Sequence, residues 1–290
     1  MLKKIMNLHE EATHLRLKSV CEDYGASVFP KIRLADVFPI EGSGISNEEY
    51  SFALQSHFDF ILTDEKHHPL FAIEFDGKLH ISEIQKKRDK IKNRLCAKFN
   101  FPILRINSNH LLKKYRGMDI LSRLIEYWFL SEGFYTAQED GLISYDEPFD
   151  LLSIMSIGNN RRDFPLWLSR ELLIKIQKFH ESKLCKDRAP SIIIGTDSEG
   201  NYRGISYLRI NDIQGICAEM ALRGQQFPAD FAQLLEELII YEIYNKLLSV
   251  LENKTKALPL SLISEKLNKY KKDYEFLTAS LISHGPSKSI

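Results

Sequence analysis

The chain has 290 residues, 44% hydrophobic and 27% charged, which excludes a disordered chain, a collagen-like repeat and a coiled-coil rod. Lys plus Arg and Asp plus Glu each number 39, so the net charge is zero and any case for nucleic acid must come from local charge. The four cysteines, Cys21, Cys96, Cys185 and Cys217, are too scattered for a zinc ribbon or redox pair, and no apolar run reaches the roughly 18 residues of a membrane helix; a cytoplasmic protein in a reducing compartment, with no membrane partner, is expected.

In chain order, residues 8–23 read as a helix with Leu15, Leu17 and Val20 on or near one apolar stripe, stopped by Gly25. Residues 26–34 read as a strand that Pro30 pushes toward a sheet edge. The signal over 35–55 is weak, and EGSGISNEE reads as loop. Residues 57–63 (HFDFILT) and 70–76 (LFAIEFD) are aromatic and β-branched, joined by DEKHHP in a hairpin pattern. Ser82-Glu83-Ile84-Gln85 forms a capping box for a helix that runs to about Asn100, with Ile84, Ile91 and Leu95 on one face. Residues 101–106 (FPILRI) read as a short buried strand, and a helix follows at about 118–131. This order predicts an α/β domain over residues 1–135 with an αβββαβ core and a mixed sheet.

The rest, 136–290, reads as a mainly α-helical domain with a short hairpin, its boundary falling near 135–160. Residues 133–164 are mixed loop and short strand, 165–184 an amphipathic helix, and 191–210 a hairpin turning at Ser198–Asn201. Residues 228–253 carry the strongest helix pattern in the chain, and 260–283 read as another helix.

One constellation carries chemistry. Asp59 lies inside an otherwise apolar strand, between Phe58 and Phe60, and an acid there is costly unless it is paired or bound to a cation. Glu74 and Asp76 stand two apart at the end of the next strand and so share a face, and strand pairing can bring Asp59 alongside. Three carboxylates beside a basic helix suit Mg²⁺ or Mn²⁺, because hard cations take oxygen ligands. Lys78, His80, Gln85 and Lys92 follow in sequence and could position a nucleophile or neutralise developing charge. The plainer alternative is that the acids salt-bridge to the helix.

From Lys78 to Arg116, twelve basic residues stand against two acids, Glu83 and Asp89, a charge of +10 over 39 residues. Within this stripe Lys86, Lys87, Arg88, Lys90 and Arg94 are the candidate phosphate contacts. A solvated helix face is the alternative.

The combined pattern over about residues 8–130, SHFDFILTDEKHHPLFAIEFDGKLH followed by QKKRDKIKNRLCAKFNFPILRI, resembles the PD-(D/E)XK nuclease superfamily. It is similar to the branch of very-short-patch-repair-type endonucleases and their uncharacterised bacterial relatives. There a strand Asp precedes Glu-x-Asp-Gly-x-x-His, an Arg-Asp-x-x-Lys helix and a strand ending Leu-Arg-Ile. In this chain the matching residues are Asp59, then Glu74, Asp76, Gly77 and His80, then Arg88, Asp89 and Lys92, then Leu104, Arg105 and Ile106.

The resemblance implies a restriction-endonuclease-like core, a Mg²⁺-dependent endonuclease of repair or defence type, DNA as partner, and a metal-side Glu on the first helix, for which Glu11 is the choice and Glu10 the alternative. The superfamily's usual Lys after Glu-x is Asp76 here, which leaves that cation to Lys92, Lys78 or His80, in that order. Two other functions stay open at this stage: a nucleic-acid-binding module without cleavage, and an interaction protein that docks on a partner, or on its own copy, through its C-terminal helices. If Asp59 and Glu74 repel each other at a metal-free site, neutralising either one is expected to hold or raise stability.

Overall fold

The structure is a computed structural model and describes residues 6–76, 83–115, 117–149 and 168–281. Two units divide the chain: residues 1–161 with 225–229, and residues 162–224 with 230–290.

The first unit starts with a capping box. The Asn7 side chain accepts from the backbone of His9 and Glu10, Glu10 returns a bond to the Asn7 N–H, and α1 (Leu8–Cys21) follows. After Gly25, in the left-handed region at φ 64°, comes β1 (Ser27–Arg33). The weakly patterned stretch beyond it holds α2 (Leu34–Val37) and α3 (Asn47–Gln55). The signal for α3 is Ser46 with Glu49 three residues on, a capping box inside the stretch that reads as loop.

Next come β2 (His57–Thr63), β3 (Pro69–Phe75), α4 (Glu83–Lys98) and β4 (Ile103–Ile106). Sheet order is β1-β2-β3-β4, with the first three antiparallel and β4 parallel to β3. This is the expected αβββαβ core with a mixed sheet. Pro30 lies on an edge strand, where proline is tolerated within a sheet. The Ser82 capping box lies outside the described residues.

On the α4 side, Phe58, Ile61, Ala72, Ile91, Leu95 and Ile103 form one buried cluster. Beyond β4 come α5 (Ser108–Leu112), the short pair β5 (Lys114–Tyr115) and β6 (Met118–Asp119), and α6 (Ile120–Glu139). The last helix runs eight residues past its expected end at 131, through Gly133, because Phe134 and Gln138 are buried. The opening of the stretch expected as loop and short strand, 133–164, is therefore helix. Trp128 packs on Phe71 with ring centroids 4.8 Å apart, a core role. The outer edge of β4 is closed by 225–229: the Ile103 N–H donates to the Gln226 carbonyl at 3.0 Å and the Arg105 N–H to Gln225 Oε1 at 2.6 Å.

The second unit contains α7 (Arg170–Glu181), β7 (Ser191–Thr196), β8 (Tyr202–Arg209), β9 (Gln214–Leu222), α8 (Phe231–Leu251), β10 (Leu258–Pro259), α9 (Leu260–Asp273) and β11 (Glu275–Leu281). Its sheet, ordered β10-β9-β8-β7-β11, is antiparallel throughout. Leu172 and Ile176 of α7 and Leu235 and Ile239 of α8 pack with Ile192 and Ile194, and Ile263 and Tyr270 of α9 pack with Ile205 and Cys217.

The expected hairpin is present, and β9, β11 and the short β10 extend it to a five-stranded antiparallel sheet beside the helices of this unit. The β9 segment, QGICAEMAL, is rich in residues with weak strand preference, and pairing along β8 from Tyr202↔Leu222 to Arg209↔Gly215 overrides that preference. The expected helix over 260–283 stops at Asp273, and β11 pairs with the open edge of β7 instead. Trp167 and residues 150–164 lie outside the described residues. Among the described residues, no helix is long and apolar enough to cross a membrane.

Candidate functional site

Strand register builds the site. Phe60 pairs with Ile73, so Asp59 and Glu74 are neighbours across β2 and β3. Each carboxylate accepts a backbone N–H from the other strand: Asp59 N–H donates to Glu74 Oε1 at 3.3 Å, and Phe75 N–H donates to Asp59 Oδ2 at 2.9 Å. An acid inside an apolar strand is thereby given partners without leaving the sheet.

Cations complete each carboxylate. Lys92, from the second half of α4, reaches back to place Nζ 2.7 Å from Glu74 Oε1 and 2.8 Å from the His57 carbonyl. Glu74 and Lys92 are 8% and 7% exposed, so the pair sits in a poorly screened environment. Burial pushes the Glu74 carboxyl above its ordinary range, the Lys92 ammonium opposes that rise, and the Asp59 charge adds to it. Lys31, on β1, places Nζ 2.8 Å from Asp59 Oδ1 and 2.7 Å from Glu10 Oε1. Burial works to lower the Lys31 ammonium, but the bonds to Asp59 and Glu10 outweigh it and hold its pKa above the usual value.

Asp76, just past β3, accepts from Arg105 NH1 at 3.2 Å; the same guanidinium lies 3.4 Å from Asp89 and donates to Asn93 Oδ1 at 3.0 Å. The ion pairs of Glu74 and Asp76 therefore divide: α4 supplies the cation for the first and β4 for the second. Arg105 is 5% exposed, and its loss would remove the shared cation of two neighbouring carboxylates. Arg105→Met is expected to cost on the order of 3–5 kcal/mol in chemical denaturation. Arg105→Lys should recover only part of this, because one ammonium cannot reproduce the guanidinium fork. A loss below about 1 kcal/mol in Arg105→Met would show that this network adds no net stability.

Glu10, Asp59, Glu74, Asp76 and Asp89 face Lys31, Lys92 and Arg105, five carboxylates against three cations and a formal charge of −2. Among the described residues, no three His, Cys, Asp or Glu side chains are gathered to hold a metal by themselves. Both hydrogen bonds to Glu74 fall on Oε1, and Oε2 accepts none among the described residues. Adjacent carboxylates, with Glu74 Oε2 to spare, fit Mg²⁺, which keeps several waters and is commonly held by one or two carboxylates plus substrate phosphate oxygens.

Glu10 of the first helix joins this network through Lys31, and Glu11 is half-buried beside it on the same helix. Lys78 and His80 lie outside the described residues. On α4, Lys86, Lys87, Arg88, Lys90 and Arg94 are exposed, and several are ion-paired: Lys87 with Glu48 at 2.7 Å, Arg94 with Glu49 at 3.2 Å and Lys86 with Glu83 at 2.8 Å. Exposed pairs of this kind are weak and yield to a competing phosphate. Arg88 lies over the Phe52 ring, 5.5 Å from its centroid. Burial pushes the Cys21 and Cys96 thiols up to about 12, which removes them as nucleophiles.

Lys31 is the residue that sequence reasoning missed. It has φ 56°, the left-handed region, in the middle of a strand. A non-glycine residue held there costs on the order of 1–3 kcal/mol. Its flanking pairs, Pro30↔Phe60 and Ile32↔Phe58, stay in register, so no extra residue is inserted and Lys31 stands opposite Asp59. Only the β1–β2 register exposes this partnership, and no local pattern encodes it.

Residues 2–120 match a family model described as a protein of unknown function, DUF2726. Every residue of the carboxylate–cation network falls within this matched region. No curated protein and no solved structure matches the chain.

Proposed function

We propose that this protein is a metal-dependent nuclease that hydrolyses phosphodiester bonds in nucleic acid, with DNA as the first substrate to test. The observation that carries the reading is the Asp59–Glu74 pair on adjacent strands, with Lys92 on Glu74 Oε1. The PD-(D/E)XK resemblance supports it: of the residues that carry that pattern, Asp59, Glu74, Asp76, Asp89, Lys92 and Arg105 belong to this network.

Asp59 and Glu74 would hold Mg²⁺ or Mn²⁺, and the bound ion would polarise a phosphoryl oxygen and acidify a water. Lys92 fixes the Glu74 carboxylate and offers positive charge beside the pair, taking the place left open where Asp76 replaces the usual Lys. Asp76, tied to Arg105, sets the charge and shape of the strand end. Exposed Lys86, Lys87, Arg88, Lys90 and Arg94 lie on the same helix as Lys92 and would hold the phosphate backbone. Plasmid nicking with Mg²⁺ or Mn²⁺ tests the proposal, with Asp59→Ala as control; activity that survives Asp59→Ala, or none with either metal, would count against it.

A second reading, binding without cleavage, is favoured by the pairing of Asp59, Glu74 and Asp76 with cations of the chain itself. It predicts a gel shift of labelled DNA that weakens steeply with salt and forms without Mg²⁺, with no cleavage when Mg²⁺ is added.

A further inference from the structure

Two lysines neutralise the carboxylate pair, and they differ in what they can do. Lys92 Nζ is held by Glu74 and the His57 carbonyl, and its side chain is 9% exposed, so the ammonium has nowhere to go without being stripped of partners. Lys31 Nζ is held by Glu10 and Asp59 with its side chain 31% exposed, so it can turn into solvent and be rehydrated. Lys31 is also the residue held in the left-handed region within a strand, a conformation that its contacts to Glu10 and Asp59 help to maintain.

Resting on the metal reading above, we propose that Lys31 is an internal counter-cation that a divalent ion must displace from Asp59, so that this lysine sets the metal affinity of the site. The exchange balances charge. The network of Glu10, Asp59, Glu74, Asp76 and Asp89 with Lys31, Lys92 and Arg105 carries a formal −2, and a divalent ion on Asp59 brings it to neutrality while Lys31 stays paired with Glu10. It also changes which oxygens are open: Asp59 Oδ2 is taken by the Phe75 N–H, so Oδ1, now on Lys31, is the atom that Asp59 gives up to a cation. The released ammonium stays tethered to Glu10 on α1, which places a mobile positive charge at the rim of the site. The metal then enters a site that already holds its carboxylates in place, at the cost of competition with the lysine.

Mn²⁺ binding to the full chain, followed by the electron paramagnetic resonance signal of the free ion, separates the outcomes. Lys31→Met should bind Mn²⁺ at least about tenfold more tightly than the wild type, because a competing positive charge is gone. Lys31→Gly should do the same and also folds without the left-handed penalty, so a poorly folded Lys31→Met protein would not stop the test. Asp59→Asn should weaken Mn²⁺ binding at least about tenfold in the wild-type background. If wild type binds Mn²⁺ and loses it with Asp59→Asn, while both Lys31 variants bind equally or more weakly, Lys31 is a structural pin between α1 and the sheet; the displacement idea is then wrong and the metal reading survives. If neither wild type nor the Lys31 variants bind Mn²⁺ at millimolar concentration, the metal reading fails and takes this proposal with it.

Discussion

Replacing Asp59 by Asn, or Glu74 by Gln, should lower Mg²⁺-dependent cleavage by about 100-fold or more, the size expected when one preorganised electrostatic group is removed from a reacting centre. The two variants should differ in stability. The amide in Asp59→Asn keeps an oxygen for the Phe75 N–H, and the partner it loses, Lys31, is partly solvated, so this change should alter stability little. Glu74→Gln leaves the Lys92 ammonium buried without its counter-charge. The expectation from sequence, that losing either carboxylate holds or raises stability, is therefore reversed for Glu74. Cleavage should be read well below the unfolding transition, with circular dichroism confirming the fold. Cleavage within about threefold of wild type in either well-folded variant, against the loss of a reacting-centre group, would remove the carboxylate pair from the chemistry.

The Glu74–Lys92 pair makes the second large prediction. Lys92→Met should destabilise the protein by on the order of 3–5 kcal/mol, because it strands Glu74 in a site that already resists its charge. The double variant Glu74→Gln, Lys92→Met should recover much of that loss, since no unpaired charge remains and the methionine fills the lysine's volume near the Phe58 ring. A double-mutant cycle in urea measures this coupling. Strictly additive losses would mean that the two side chains do not depend on each other, against the 2.7 Å contact. The same lysine bears on catalysis: Lys92→Met should lower cleavage far more than DNA affinity, whereas Lys87→Ala or Lys90→Ala should weaken binding and flatten its salt dependence.

Much of the first unit was legible because its signals are local. The HFDFILT and LFAIEFD segments, the apolar face Ile91–Leu95 and the FPILRI strand each announce their element, and Asp59 stands out as an acid where the pattern demands an apolar residue. What stayed hidden depends on contacts far apart in sequence. Lys31 looks like an ordinary strand residue until the register sets it opposite Asp59. Glu10 and Glu11 are adjacent on one helix, and the link of Glu10 to Asp59 runs through the distant Lys31. The covering of β4 by Gln225 and Gln226 spans 120 residues in the case of Arg105 and Gln225, beyond any periodicity argument. In the second unit, β9 and β11 owe their strand conformation to cross-strand partners rather than to their own composition.

Anomalous scattering from crystals of the full chain grown with Mn²⁺ tests the central claim most directly. The account predicts a Mn²⁺ peak bonded to Asp59 and Glu74 oxygens at about 2.1 Å, the remaining ligands being water, with Lys31 turned away and Lys92 still on Glu74. Anomalous density only at other carboxylates, or none at a Mn²⁺ concentration that supports nicking, with Lys31 still on Asp59, would contradict it.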